Sequence, residues 1–298
     1  MTFAITRRAI AGATIGAVIC PGLRSLAQAP DATPARAHAA LAALEARNGG
    51  RLGVAVLDVG SERGFGYRAE ERFAMCSTHK FLTAAAILTM VDRGRMELDR
   101  RIPYGPADLL EYAPIARKNV AAGAMTVDAL CAAAIQWSDN TAANLLLGLI
   151  GGPSGWTRYA RSIGDAASRL DRTEPALNSA IAGDPRDTTT PDAMVRDLNV
   201  VLVGKALSDA SRTRLTDWML GAKVTDNLLR AGLPNGWRVG DKSGSGEHGT
   251  RNDIGIILPS EGAPIVAAVY YTESPDPSAS RDKVICEVGR IIAHSFGA

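Results

Sequence analysis

The segment Asn252-Asp253-Ile254-Gly255-Ile256-Ile257-Leu258 decides the fold, because it reads as a strand near the C-terminal end of the chain. Residues 237–243 and 264–271 share its texture, and Gly-rich or Pro-containing turns separate the three. At the other end, Leu52, Val54, Val56 and polar Asp58 recur at every second position. A turn over 60–64 then leads to a second strand at 65–68. Residues 37–47 are rich in Ala and Leu and stop at Asn48-Gly49-Gly50, a helix with a glycine stop. Val284, Ile285, Val288, Ile291 and Ile292 mark one face of a closing helix. Between the two sets of strands, residues 81–91, 127–136, 141–150 and 193–203 are the clearest helical segments.

Strands at both ends and helices in the middle predict an α/β protein of the α+β type. One antiparallel sheet is built from both chain ends and flanked by the terminal helices, with an all-α domain inserted. The expected bounds are 34–76 with 220–298 for the sheet part, and 77–219 for the helical part. A site belongs in the cleft between them.

The first residues alter the charge balance. Arg7 and Arg8 precede the mostly apolar run 9–19, and Ser25-Leu26-Ala27 offers small residues where a signal peptidase reads. Residues 1–27 are therefore expected to be an export signal. The arginine pair resembles a twin-arginine signal and equally suits the general route. Ile19 is a poor fit for a lipid anchor on Cys20. Removing this segment takes Arg7, Arg8 and Arg24 from 33 basic residues and none from 31 acidic ones, which leaves a net charge near −1. No basic field remains for nucleic acid, and no later apolar run reaches the ~20 residues of a membrane span. The expectation is a periplasmic or secreted monomer with no cofactor. Cys76, Cys131 and Cys286 form no C-x-x-C, and the four histidines form no H-x-H or H-E-x-x-H, so no metal site is expected.

Four short motifs carry chemistry. Ser77-Thr78-His79-Lys80 precedes the helix 81–91, and residues three apart share a helix face, so Lys80 reaches the Ser77 hydroxyl. A nucleophilic serine needs a base, and a lysine deprived of water can serve. Alone the motif is weak: S-x-x-K occurs about once by chance in a chain of this length, and Ser280-Arg281-Asp282-Lys283 also matches. Ser138-Asp139-Asn140 reads on its own as a helix N-cap. Lys242-Ser243-Gly244 reads as a basic residue at a strand end, and Glu174-Pro175-Ala176-Leu177-Asn178 as an exposed loop. Gly244-Ser245-Gly246-Glu247-His248-Gly249 fits G-x-G-x-x-G, but a strand rather than a helix follows it, so it is a hairpin turn and no dinucleotide site.

Taken together and in this order, these residues resemble the class A serine β-lactamases, whose known signature is S-x-x-K, S-D-N and K-T-G. The resemblance covers nearly all of the chain after the signal, including Phe73-Ala74-Met75-Cys76 and Leu170-Asp171-Arg172. It implies a hydrolase that opens small-molecule β-lactams through an ester on Ser77. Lys80, or Glu174 acting through water, would take the serine's proton. Ser138 would pass a proton to the departing nitrogen, and Asn140 would hold the substrate's amide. Lys242, Ser243 and Arg251 would bind its carboxylate, with Ser245 and Tyr112 bordering the pocket. The backbone N–H groups of Ser77 and Ser245 would form the oxyanion hole, each such donor being worth ~10²–10³ in rate. Glu174 and Asn178 would hold the hydrolytic water, and an Arg172–Asp187 pair would close their loop.

K-S-G for K-T-G keeps the hydroxyl. The cysteines that some family members pair with the positions of Cys76 and Cys131 are here Gly246 and Ala84, so both thiols read as buried small residues. A D,D-peptidase shares three of the motifs but lacks the deacylating glutamate. A β-lactam sensor would need a membrane-spanning region.

Overall fold

The computed structural model describes residues 33–297, so the expected signal at 1–27 and Cys20 lie outside the described residues. Helix α1 (Thr33–Asn48) leads into β1 (Arg51–Asp58), β2 (Gly64–Tyr67) and the short β3 (Phe73–Ala74). Helix α2 (His79–Asp92) is followed by β4 (Arg101–Pro103), α3 (Pro114–Asn119), β5 (Ala124–Thr126) and the helices α4 (Val127–Gln136), α5 (Asn140–Leu149) and α6 (Gly152–Ser162). Then come β6 (Thr188–Thr189), α7 (Pro191–Leu202), α8 (Asp209–Leu220) and α9 (Leu229–Gly232). The strands β7 (Arg238–Gly246), β8 (Thr250–Leu258) and β9 (Ile265–Thr272) precede α10 (Ser278–Ser295).

The five long strands form one antiparallel sheet in the order β2-β1-β9-β8-β7, as expected of strands from both chain ends. Strand β9 sits in its centre, with Val54 opposite Val269 and Ala268 opposite Ile254. Every residue of β9 is buried, which explains its continuous apolar run: both faces of the sheet are covered. Val266, Ala268 and Tyr270 enter the core shared with α2, α4, α5 and α7. Ile265, Ala267, Val269 and Tyr271 pack with Leu41 and Leu44 of α1 and Val284, Ile285, Val288 and Ile292 of α10. The period of two therefore sorts alternate residues into two cores.

Four details differ from the sequence reading. The inserted part is not all-α, because β4 pairs with β5 within it and β6 pairs with β3. Helices α3, α6, α8 and α9 were not among the segments singled out, α6 because Gly152, Pro153 and Gly155 disguise its start. Helix α5 begins at Asn140 rather than Thr141, because Asp139 is its cap and accepts the Ala142 N–H at 2.9 Å. Strand β7 runs three residues past Ser243, so within the G-x-G-x-x-G segment only Glu247, His248 and Gly249 make the turn. Glycine is required in that extension: a Cβ on Gly246 would lie 2.6 Å from both the Asn178 carbonyl and Cys76 Sγ.

Beneath the sheet, Asp197 of α7 is 2% exposed and faces the buried Asp165. Burial first, and then the Asp165 carboxylate, push the Asp197 carboxyl up to about 9. A folded-state value above the unfolded one means that the folded chain holds the extra proton. The stability that this supplies is complete below about pH 4 and is lost as pH rises towards 9. Asp197→Asn carries its hydrogens at every pH. It is expected to raise Tm at pH 8 by roughly 2–4 °C or more and by less at pH 5, read by thermal circular dichroism. Equal gains at both pH values would show that no proton is held there.

Candidate active site

The turn Cys76–Thr78 carries Ser77 into the start of α2. Cys76 adopts φ +47°, a conformation disfavoured for a residue with a side chain. The surroundings hold it there. Met75 N–H donates to the Asp187 carbonyl at 2.9 Å, while the Met75 carbonyl accepts from Thr78 Oγ1 at 2.8 Å and Asn252 Nδ2 at 3.1 Å. Strain held in this way is characteristic of functional sites. Cys76, Cys131 and Cys286 are all buried free thiols, the first two as expected of small packing residues.

Lys80 is fully buried one turn from Ser77. Its Nζ lies 2.9 Å from Ser77 Oγ, 2.8 Å from the Ser138 carbonyl, 2.6 Å from Asn140 Oδ1 and 3.0 Å from Glu174 Oε1. An ammonium has three hydrogens for these four oxygens. Burial loosens its proton, pushing the Lys80 pKa down against the pull of Glu174. For Glu174, burial alone would push the carboxyl up, but Lys80 and then His79 outweigh it and hold it well below the usual carboxylate range.

Glu174 is fixed from both sides. Its backbone is clamped by Asn144 of α5, which accepts from Glu174 N–H at 3.0 Å and donates to its carbonyl at 2.9 Å. Its Oε1 accepts from Ser77 Oγ at 3.2 Å and its Oε2 from Asn178 Nδ2 at 2.5 Å. The loop is closed by Asp187, which accepts from Arg172 Nε at 2.6 Å and from the backbone N–H groups of Asp171 and Arg172 at 2.7 and 2.9 Å.

On the opposite wall, Lys242 of β7 is fully buried, and burial and then the like charge of Lys80 push its pKa well down. Its Nζ donates to Ser138 Oγ at 3.0 Å and to the Ser243 carbonyl at 2.6 Å. Ser138 Oγ accepts there, so its own hydrogen is free to point into the cleft. Because Asp139 takes the capping role, the same three residues serve the helix end and leave Ser138 and Asn140 to the site. Ser77, Ser138, Asn140, Asn178, Ser243, Ser245 and Arg251 line a cleft of about 350 Å³, with Tyr112, 48% exposed, at its rim. Arg251 is held by Asp282 Oδ1 at 2.7 Å and donates to Ser245 Oγ at 2.8 Å. Strand β7 is the sheet edge, so part of its backbone polar groups face away from β8.

The candidate catalytic and binding residues thus lie in or directly against one cleft, while the Arg172–Asp187 pair lies behind it and closes the Glu174 loop. Sequence reasoning missed Asn144, Asp282 and His79. Asn144 stands one turn after Asn140 on the same helix face, a spacing that marks it. Asp282 belongs to the second S-x-x-K match, which was set aside. His79 sits inside the first match, between its two defining residues. Among the described residues no cluster of His, Cys, Asp and Glu is arranged to hold a metal ion.

Comparison with known proteins finds relatives of the whole described chain. The Beta-lactamase enzyme family profile matches residues 36–296. The chain is 48% identical over 256 residues to beta-lactamase CTX-M-97 of Escherichia coli, covering 86% of this chain and 88% of that one. It is 45% identical over 259 residues to beta-lactamase OXY-2 of Klebsiella oxytoca, covering 87% and 89%. Its fold is similar to the solved ancestral (GNCA) class A beta-lactamase, with a TM-score of 0.86, 57% identity and coverage of 87% of this chain and all of that one.

Proposed function

The chain belongs to the class A serine β-lactamase family, and from that premise we propose that Ser77 opens the lactam ring in two stages, with Glu174 as the base of the second. It is a hydrolase of β-lactams and confers resistance to them; penicillins and cephalosporins are the expected substrates. The observation that carries the assignment of roles is Lys80 Nζ between Ser77 Oγ at 2.9 Å and Glu174 Oε1 at 3.0 Å, with Asn178 on the other carboxylate oxygen.

In the first stage Ser77 Oγ attacks the lactam carbonyl. Its proton goes to Glu174, 3.2 Å away, or to a Lys80 that has first passed its own proton to Glu174. The backbone N–H groups of Ser77 and Ser245 serve the developing oxyanion. Ser138 protonates the leaving nitrogen and is reprotonated by Lys242 or Lys80, both within reach of its oxygen. Asn140 holds the substrate amide, Lys242, Ser243 and Arg251 its carboxylate, and Tyr112 the rim. Before the second stage Glu174 returns its proton, through Lys80, to whichever lysine gave one to Ser138. It then takes a proton from a water held with Asn178 as the hydroxide attacks the ester, and passes that proton to Ser77 Oγ as the ester bond breaks. The Arg172–Asp187 pair keeps this loop closed. The cleft then separates the sheet part, 34–76 with 220–298, from the helical part, 77–219.

No helix among the described residues is long and apolar enough to cross a membrane. The arginine pair and small residues near the N-terminus support export to the periplasm or beyond, where the protein is read as acting as a monomer. Benzylpenicillin and nitrocefin are expected to be turned over for many equivalents per enzyme. One-to-one labelling without product release would instead mark a D,D-peptidase or a sensor.

A further inference from the structure

We infer that His79 is a positioning residue for Glu174: its Nε2–H donates to Oε1 and keeps the carboxylate aimed and ionised while Lys80 changes charge. This rests on the reading of Glu174 as the deacylation base.

The geometry singles the residue out. His79 neighbours Lys80 on α2, about 100° around the helix, so it approaches Glu174 from another side. Both side chains are fully buried, with Nε2 3.5 Å from Oε1. At that separation Nε2 completes no hydrogen bond, and it has no hydrogen-bond partner among the described residues. The other edge of the ring is fixed, since Nδ1 lies 3.2 Å from Thr83 Oγ1. The backbone is fixed as well: the His79 carbonyl accepts from Trp156 Nε1 at 3.0 Å. A buried imidazole nitrogen with one neighbour in reach, and that neighbour a carboxylate, is more than a packing residue. Contacts of this kind are commonly long in empty sites and shorten around the substrate.

Chemistry sets the tautomer. An ionised carboxylate only accepts, so the nitrogen that faces it carries the hydrogen. Nδ1 then accepts the single hydrogen of the Thr83 hydroxyl, in competition with the His79 carbonyl 3.1 Å from the same oxygen; that carbonyl keeps Trp156 Nε1 as its donor. Burial keeps the ring neutral, pushing its pKa down against the pull of Glu174. Lys80 and Lys242 also disfavour its charged form. Cys76 and Asp139 complete the titratable groups around the cluster, through their fields on Lys80. Lys80 and His79 therefore act differently on Glu174. The attraction of Lys80 vanishes whenever it gives up its proton, whereas a neutral N–H donor is present throughout the cycle.

The test is the acidic limb of the pH–kcat profile for a penicillin whose deacylation limits turnover. His79→Phe keeps a ring of similar size and removes the donor. Its limb is expected to move up by about one pH unit, equivalent to about 1.4 kcal/mol on the carboxylate, with kcat/KM changed less than kcat because acylation sets that ratio. His79→Gln, whose amide nitrogen reaches the place of Nε2, is expected to return most of that shift. An unmoved limb in His79→Phe, or equal shifts in both variants, overturns the role and makes His79 a packing residue. A limb that survives in Glu174→Gln fails the underlying assignment of Glu174 instead. A measurement that leaves the site untouched runs beside these. With His38, His248 and His294 replaced, His79 is the sole histidine of the chain. Its ¹⁵N spectrum is expected to show a neutral ring with hydrogen on Nε2; hydrogen on Nδ1 overturns the inference.

Discussion

Ser77→Ala is expected to abolish both covalent labelling by a penicillin and its hydrolysis, lowering kcat by about 10⁴-fold or more. Loss of a nucleophile removes the ester route entirely and leaves only what the oxyanion donors and binding contribute, a residue on the order of 10³–10⁴ over water in other serine hydrolases. No other group in the cleft can replace it, because Ser138 and Ser243 lack an equivalent pairing with both Lys80 and Glu174. The fold should tolerate the change, since Ser77 Oγ serves no helix cap and its partners are site residues. Ser280→Ala is the control. Ser280 belongs to the other S-x-x-K match but stands in the first turn of α10, remote in function from the cleft. Intact-mass spectrometry reads both variants. An adduct that survives Ser77→Ala defeats the assignment.

Glu174→Ala is expected to separate the two stages. The acyl ester should persist as an adduct of one drug mass, with turnover down by about 10²–10⁴-fold, the usual worth of a general base. Acylation should survive for an electrostatic reason. Burial already loosens the Lys80 proton and Glu174 is the chief group opposing that. Removing the carboxylate therefore favours the neutral amine, which stands 2.9 Å from Ser77 Oγ. The water, by contrast, loses its acceptor, and Asn178 alone cannot deprotonate it. Turnover at the wild-type rate would reduce Glu174 to an ordinary loop residue. Absence of both adduct and turnover would assign the first proton transfer to Glu174 as well.

These two residues also show where sequence ceases to be informative. Lys80 beside Ser77 follows from helix geometry, because residues i and i+3 meet on one face whatever the rest of the chain does. The same holds for an N-cap somewhere in Ser138-Asp139-Asn140, for the alternation of Leu52, Val54 and Val56, and for the apolar run of β9. Each is a statement about neighbours in the chain. The strand content, the helical middle and the antiparallel sheet from both ends were legible on that basis. Helix α6 was not, since Gly152, Pro153 and Gly155 contradict local propensity and its buried Trp156 is what holds it.

Sequence by itself therefore determined the elements, the reading of the ordered motifs and the candidate nucleophile with its lysine. The resemblance named Glu174 as their carboxylate, and tertiary structure alone decided how it meets them. Ser77 and Glu174 stand 97 residues apart, and Ser138 and Lys242 stand 104 apart. Glu174 arrives only because Asn144 clamps its backbone and Asp187 closes its loop, while Lys242 arrives because β7 pairs with β8 at the sheet edge. The same packing turns His79, a residue with no local signal, towards Oε1, and brings Asp282 from a discarded motif to hold Arg251. The physical reason is the burial of charge. A lysine or glutamate in water is indifferent to partners so distant in sequence. Removed from water, each must be met by opposite charge or hydrogen bonds, and only the folded chain supplies both at once.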